Sequence, residues 1–306
     1  MEQSLKNRLT YGPLMLLGLF IVFFLDHAVQ KWTLDWVIVG EQKHRIGVGG
    51  VGFLLLFLFI LPIATVELAK LFTAESVRPY RVLSAFGSAS LVIHAFLTQF
   101  DWFKPYAASS LAFIVVGVML LAALLRAIDR QTQEAIHRMA GTVLAVLYLG
   151  GLAWFLMSIR VKVSIGTHGG LKFQGTTMKI LLMLMVVKFT DIGAYFGGRK
   201  FGKHKLIFWL SPGKTWEGLG FGLLTAGLIG AAIAPAIERL SFMEGFWFGV
   251  LIGGIGQAGD LLESMMKRDA EVKDSGTLVP GFGGILDIID SPLLAAPFAY
   301  LVFSML

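Results

Sequence analysis

Charged side chains are concentrated near the end of a mostly apolar chain, in the stretch SMMKRDAEVKDSGTLVPGFGGILDIIDS from Ser264 to Ser291. Carboxylates bind hard cations such as Mg²⁺, and Lys and Arg bind phosphate oxygens. Their combination at one place is typical of metal-assisted phosphoryl or nucleotidyl transfer. The predicted metal ligands are Asp260, Asp287 and Asp290, and the predicted phosphate-binding cations are Lys267, Arg268 and Lys273.

A second polar stretch, GGRKFGKHKLIFWLSPGKTWEG, begins at Gly197. It has a high density of Lys and Arg, and its glycines would expose backbone N–H groups to an anion. The segment SPGKTWEG is predicted to begin a helix, whose N-terminus would also attract phosphate. A true P-loop is excluded because His204, rather than Ser or Thr, follows Lys203. The alternative is a cluster of positive charges that ends a membrane span, followed by a helix cap. The candidate residues are Arg199, Lys203, Ser211, Lys214 and Thr215.

Lys188 and Asp191 lie inside the apolar segment LLMLMVVKFTDIGAYFGG. At spacing i, i+3 they share a helix face and can pair. Ionisable residues within a span are costly, so their presence indicates a functional site. A structural ion pair is the alternative. Asp191 is the stronger candidate because glycines follow it.

The elements that carry these residues are predicted to be membrane helices. Of the 306 residues, 56% are hydrophobic and only 15% are charged, and the mean hydropathy is +0.74. Apolar runs of about 20 residues predict an all-α, polytopic integral membrane protein. The net charge of +6, without a basic soluble face interleaved with aromatic residues, favours anionic lipid or substrate over a nucleic-acid partner. We predict about nine spans and two regions, with N-terminal helices in 1–177 and a catalytic region in 178–306. The spans are 9–26, 46–68, 82–100, 106–126, 139–159, 178–198, 216–238, 243–259 and 286–306.

Lys and Arg are more numerous in the connections on the side of the N-terminus, which predicts a cytoplasmic N-terminus. The same topology places the polar loops 199–215 and 260–285 together on the cytoplasmic face. Small residues recur every fourth position in the two helices between these loops, which predicts close packing of their backbones. These are Gly218, Gly222, Ala226, Gly230 and Ala234, followed by Gly245, Gly249 and Gly253.

The stretch from Ser264 resembles the signature of the phosphatidate cytidylyltransferases, and the upstream segments DIGAYFGGRKFGKHKL and SPGKTWEG also look like motifs of that family. The resemblance covers about 190–292. The family's His and Arg are replaced here by Phe282 and Ile288. The positions in register are Ser264, Lys267, Arg268, Lys273, Asp274, Gly276, Pro280, Gly281, Gly283, Gly284, Asp287 and Asp290.

The resemblance implies that CTP and phosphatidate condense to CDP-diacylglycerol and pyrophosphate, with Mg²⁺ at a two-metal site. It implies catalytic roles for Asp260, Lys267, Arg268 and Asp287. It also implies a multi-pass protein of the cytoplasmic (inner) membrane; a homodimer is left open. The implied substrate-binding residues are Asp191, Arg199, Lys203, Ser211, Lys214, Thr215, Ser264, Lys273 and Asp274.

Three alternatives remain open at this point. A CTP-dependent lipid kinase of the polyprenol or phytol type would use the same metals and transfer the γ-phosphoryl group. A transporter would use Lys188 and Asp191 as an ion-coupled pair. The substitutions at Phe282 and Ile288 leave an inactive homologue as the third alternative.

Overall fold

The chain is almost entirely helical, as the apolar runs predict. The computed structural model describes residues 2–34, 36–39, 44–74, 76–130, 132–162, 174–238 and 240–305. Among these residues, eight helices are long and apolar enough to cross a membrane, which confirms a polytopic, all-α membrane protein. The predicted span at 82–100 is the shorter helix Arg81–Leu97, so the count of nine and the side of the N-terminus stay predictions.

The chain forms two compact units. The first contains residues 1–173 and 269–288, and the second contains residues 174–268 and 289–306. The signature segment 269–288, which the sequence assigns to the C-terminal region, therefore packs within the first unit.

Where the structure describes it, the first unit consists of six helices and one short hairpin. A 3₁₀ turn over Lys104–Tyr106 begins α4, and a π-helical turn over Val146–Gly151 joins α5 to α6 into one apolar span. The hairpin pairs its strands antiparallel, with Val37 opposite Ile46. The elements are α1 (Glu2–Trp32), β1 (Val37–Val39), β2 (His44–Ile46), α2 (Val51–Ala74), α3 (Arg81–Leu97), α4 (Ala107–Ile128), α5 (Ala135–Ala145) and α6 (Leu152–Val161).

A buried ion pair connects three helices of the first unit. The Asp26 side chain in α1 is fully buried and accepts a hydrogen bond from Arg160 Nε in α6 at 2.5 Å. Its second oxygen accepts the backbone N–H of Gly52 in α2 at 3.2 Å, and Gln30 Oε1 accepts from Arg160 Nη2 at 3.0 Å. A buried pair of this kind needs such additional hydrogen bonds to offset the desolvation of both charges.

The second unit consists of four long helices and a second hairpin. The hairpin links α7 to α8, and the backbone N–H of Trp216 closes it by donating to His204 O at 3.0 Å. The elements are α7 (Gln174–Phe201), β3 (Lys205–Ile207), β4 (Ser211–Thr215), α8 (Trp216–Glu238), α9 (Phe242–Asp269) and α10 (Leu286–Met305), of which the first turn of α10 lies in the first unit.

Small residues bring the helices of the second unit into close contact, which confirms the prediction from the four-residue spacing. A Cβ added to Gly230 of α8 would lie 3.0 Å from Gly249 Cα in α9, and one added to Gly222 would lie 2.9 Å from Thr190 O in α7. Larger side chains at these positions would force the backbones apart.

One sequence interpretation in this unit is wrong, and a neighbouring one is confirmed. Gly197 and Gly198 lie inside α7, where their missing side chains make room for Phe221 and Thr215, so they do not form an anion-binding loop. The segment SPGKTWEG does contain a helix start: α8 begins at Trp216, where the predicted span begins, and Glu217 lies in its first turn, while Ser211–Thr215 form a strand before it. Thr215 caps α8, because its Oγ1 accepts the backbone N–H of Gly218 at 3.1 Å.

Candidate active site

A cavity of about 510 Å³ in the second unit brings together many of the residues singled out from the sequence. It lies among α7, the second hairpin, α8 and α9, and its volume suits a small-molecule ligand. The polar residues in its lining are Asp191, Tyr195, Arg199, Ser211, Lys214, Thr215, Gln257 and Asp260.

A hydrogen-bonded chain of side chains runs across this cavity. Gln257 donates from Nε2 to Asp191 Oδ1 at 2.6 Å and accepts from Lys214 Nζ at 3.1 Å. The same ammonium lies 2.5 Å from Asp260 Oδ2. Lys188 contributes more weakly, with Nζ 4.0 Å from Asp191 Oδ2. The buried amide of Gln257, which the sequence analysis missed, therefore orients one candidate carboxylate and one candidate lysine.

Three carboxylates lie beside these hydrogen-bonded side chains. Oxygens of Asp260, Glu263 and Asp290 all lie within 4.8 Å of one another. Glu263 is fully buried and forms an ion pair with Lys267 at 2.8 Å, one helical turn later in α9. Carboxylates this close repel one another unless a cation or protons lie among them. The oxygen-only donor set fits Mg²⁺ chemically.

Asp287 interacts differently from the other predicted metal ligands. It belongs to the first unit, where its Oδ2 accepts from Ser275 N at 3.0 Å, Ser275 Oγ at 2.9 Å and Gly284 N at 2.7 Å. This oxygen therefore joins Ser275, inside the signature loop of residues 270–285, to Gly284 near its end. Whether Asp287 also binds a metal stays a prediction.

Glu67, in the last third of α2, is a second anchor of the signature loop. Its carboxylate accepts the backbone N–H of Ile285 at 3.1 Å and of Leu286 at 2.8 Å, at the start of α10. The side chain is almost fully buried, and the Ser275 hydroxyl lies 3.4 Å from its Oε2. Sequence reasoning missed Glu67, although a carboxylate within an apolar span was itself a signal.

Phe282, which replaces the family's histidine, lies in the same loop. A Cβ added to Gly12 of α1 would be 3.6 Å from Phe282 Cζ, so the ring is within van der Waals reach of α1. An aromatic hydrocarbon at this position supplies packing and no proton donor.

The remaining predicted residues lie at the helix ends and in the loops. In the second unit, Arg268 donates from Nε to Leu210 O at 3.4 Å, Ser264 is half-buried in α9, and the exposed Lys203 donates its backbone N–H to Glu217. Lys273 and Asp274 are exposed in the signature loop of the first unit. None of these positions tests the predicted substrate-binding roles, which stay predictions.

Glu217 is a further residue that determines local structure. Its carboxylate accepts the backbone N–H of Lys203 at 3.1 Å and contacts His204 Nδ1 at 2.6 Å. It thereby fixes the turn between α7 and the second hairpin, which carries Ser211 and Lys214 to the cavity.

Comparison with known proteins supports the resemblance seen in the motifs. A family model described as the cytidylyltransferase family matches residues 29–306. The chain is 30% identical over 257 residues to a phosphatidate cytidylyltransferase of Bacillus subtilis, covering 83% of this chain and 91% of that protein. It is 33% identical over 261 residues to the enzyme of the same name from Brucella melitensis, covering 83% and 85%.

A third relative matches over a shorter region. The chain is 37% identical over 157 residues to the uncharacterized protein YnbB of Escherichia coli. This alignment covers 51% of the chain and 49% of that protein.

Proposed function

Because this chain belongs to the cytidylyltransferase family, we propose that it condenses CTP with phosphatidate to give CDP-diacylglycerol and pyrophosphate. Membership of the family agrees with the enzyme class expected from the signature. The observation that supports the site is the convergence of Lys214, Asp191 and Asp260 on one cavity, with Glu263 and Asp290 adjoining Asp260.

In the proposed reaction, a phosphate oxygen of phosphatidate attacks the α-phosphorus of CTP. The bond from that phosphorus to the bridging oxygen of the β-phosphate breaks, and pyrophosphate leaves with the electron pair. Lys214 is placed to bind a phosphate oxygen, since its ammonium already faces the carboxylate of Asp260 at the cavity wall. Ser211 and Arg199 would add donors from the hairpin and the end of α7.

We propose Mg²⁺ as the metal, held by Asp260, Glu263 and Asp290. A bound divalent ion would neutralise polyphosphate charge and stabilise charge that develops on the leaving group. The role of Gln257 does not depend on the ion, because its amide holds Lys214 and Asp191 in place through direct hydrogen bonds. The resemblance also implies Asp287 as a metal ligand and a two-metal site, and both remain predictions.

A position at the cytoplasmic boundary of the inner membrane suits both substrates. The lipid phosphate would arrive from the leaflet, and CTP would arrive from the cytosol. One candidate span ends at Phe201 and the next begins at Trp216, both close to the cavity. This is consistent with a site at a membrane surface.

The decisive experiment supplies purified protein with phosphatidate, Mg²⁺ and CTP labelled at either the α- or the γ-phosphate. We expect α-label in CDP-diacylglycerol. Label from the γ-position in lipid would instead identify a kinase, and label from neither position would contradict both transfer reactions.

Two variants sharpen this experiment. Asp260→Asn is expected to abolish incorporation of the α-label into lipid. It removes the carboxylate that contacts Lys214 and that also lies beside Glu263 and Asp290. Phe282→His tests the replaced family residue: activity that appears only in this variant would show that the wild-type chain is an inactive homologue.

A further inference from the structure

The second hairpin, residues 202–215, connects two candidate membrane spans. One span ends at Phe201 and the next begins at Trp216, so both ends of the hairpin are fixed close to a membrane boundary. Its strands β3 and β4 pair antiparallel, with Lys205 opposite Thr215 and Ile207 opposite Ser211. Residues 208–210 form the turn, which we call the hairpin tip.

The hairpin tip is folded back onto α9. Leu210 is buried, and its carbonyl accepts from Arg268 Nε in the last turn of α9 at 3.4 Å. Further along β4, Lys214 reaches Gln257 and Asp260 of the same helix. Since α9 is itself a candidate span over Phe242–Asp269, the tip is held beside the end of that span.

Two large rings at the tip face away from the protein. Phe208 is 69% exposed and Trp209 is 73% exposed, although the adjacent Leu210 is buried. The exposed Lys200, Lys203 and Lys205 precede them closely in the chain, at the end of α7, in the following turn and at the start of β3. Aromatic rings next to several cations are typical of segments that lie in the interface of an anionic bilayer.

We infer that the hairpin tip is an interfacial anchor that inserts Phe208 and Trp209 into an anionic lipid leaflet beside the cavity. Ser211, directly after the tip, lines that cavity. A phosphatidate molecule held at the tip would therefore have its headgroup next to the donors of β4. This inference rests on the proposed function for the identity of the lipid substrate, but insertion of the tip can be tested without any reaction.

The chain has no cysteine, so a single one can be introduced and labelled without altering other residues. Trp209→Cys would carry an environment-sensitive fluorophore in vesicles of phosphatidylcholine and phosphatidylglycerol. We expect quenching by lipids brominated on their acyl chains. The control is Gly213→Cys on β4, which lines the cavity and has no atom within 4 Å of an added Cβ; its label should remain exposed to water-soluble iodide.

The labelling experiment has two outcomes that would overturn the inference. A label at position 209 that is accessible to iodide and insensitive to brominated lipid would show that the tip lies in water. A label shielded from both quenchers, with disulfide cross-links between the introduced thiols of two unlabelled Trp209→Cys chains, would show that a second copy covers the tip.

Kinetics test the consequence for the substrate. We expect Trp209→Ser to raise the KM for long-chain phosphatidate in vesicles about tenfold or more, because the variant lacks the aromatic side chain that is buried in lipid. The KM for CTP and the kcat for a water-soluble, short-chain phosphatidate should not change. Trp247→Ser is the matched control, because Trp247 is similarly exposed, at 61%, near the other end of α9.

An equal loss with long-chain and short-chain phosphatidate would contradict the inference and indicate a folding defect. If the wild-type chain transfers no cytidylyl group, the proposed function fails. The fluorescence result at position 209 then still decides whether the tip is an anchor.

Discussion

Glu67→Gln is the substitution that best tests how the signature loop is held in the first unit. The carboxylate of Glu67 accepts the N–H groups of Ile285 and Leu286, one on each oxygen. Glutamine has nearly the same shape, but its amide nitrogen would face one of these donors and leave it without an acceptor. A hydrogen bond to a charged group contributes about 1.5–3 kcal/mol, so the loop should open roughly 10- to 150-fold more often.

Amide hydrogen exchange measures this opening directly. In Glu67→Gln, the backbone amides of Ile285 and Leu286 should exchange faster by that factor, while those within the core of α2 should keep their protection. Glu244→Gln is the matched control, because Glu244 accepts hydrogen bonds from Ser241 at the start of α9 in the second unit. Unchanged exchange at Ile285 and Leu286 would refute the view that Glu67 anchors the loop.

Two other substitutions address the cavity and the first unit. Gln257→Leu removes the amide between Asp191 and Lys214, and we expect kcat/KM for CTP to fall about tenfold or more, because hydrogen bonds to two charged groups are lost. Steady-state assays at varied CTP measure this, and wild-type values would contradict it. Asp26→Asn leaves the Arg160 guanidinium buried beside a neutral partner, so the free energy of unfolding should fall by about 3–5 kcal/mol. Thermal denaturation in detergent measures it, and an unchanged midpoint would show that the pair is unimportant.

The helices could be predicted because their signal is local. An apolar run of about 20 residues identifies a span wherever it occurs, and glycines at every fourth position identify close helix packing. The helix ends were harder to place. The polar residues after position 259 suggested a loop, yet α9 continues to Asp269, since a helix emerging from a membrane can remain helical in water.

The site could be predicted only in part, because its contacts join distant segments. The sequence singled out Asp260 at the end of a glycine-rich helix and Asp290 within the signature, and the structure adds Glu263 to them. Gln257 has no local sequence signal, because an uncharged amide in a helix is not unusual. Its role is visible only from its hydrogen bonds to Asp191 and Lys214. Glu67 contacts residues more than 200 positions later in the chain.

The buried pair of Asp26 and Arg160 also constrains how this membrane protein assembles. A single charge at the centre of a membrane helix costs about 2.5–3.5 kcal/mol during insertion, and less towards an end, where Asp26 lies in the candidate span Leu9–Trp32. Asp26 is synthesised 134 residues before its partner. The first helix must therefore enter the bilayer while its carboxylate has no guanidinium to bind, and it can rely on the apolar run before Asp26 to do so. Arg160 supplies the opposite charge only after α6 has been synthesised. Formation of the ion pair then favours the correct placement of α6 against α1 and α2.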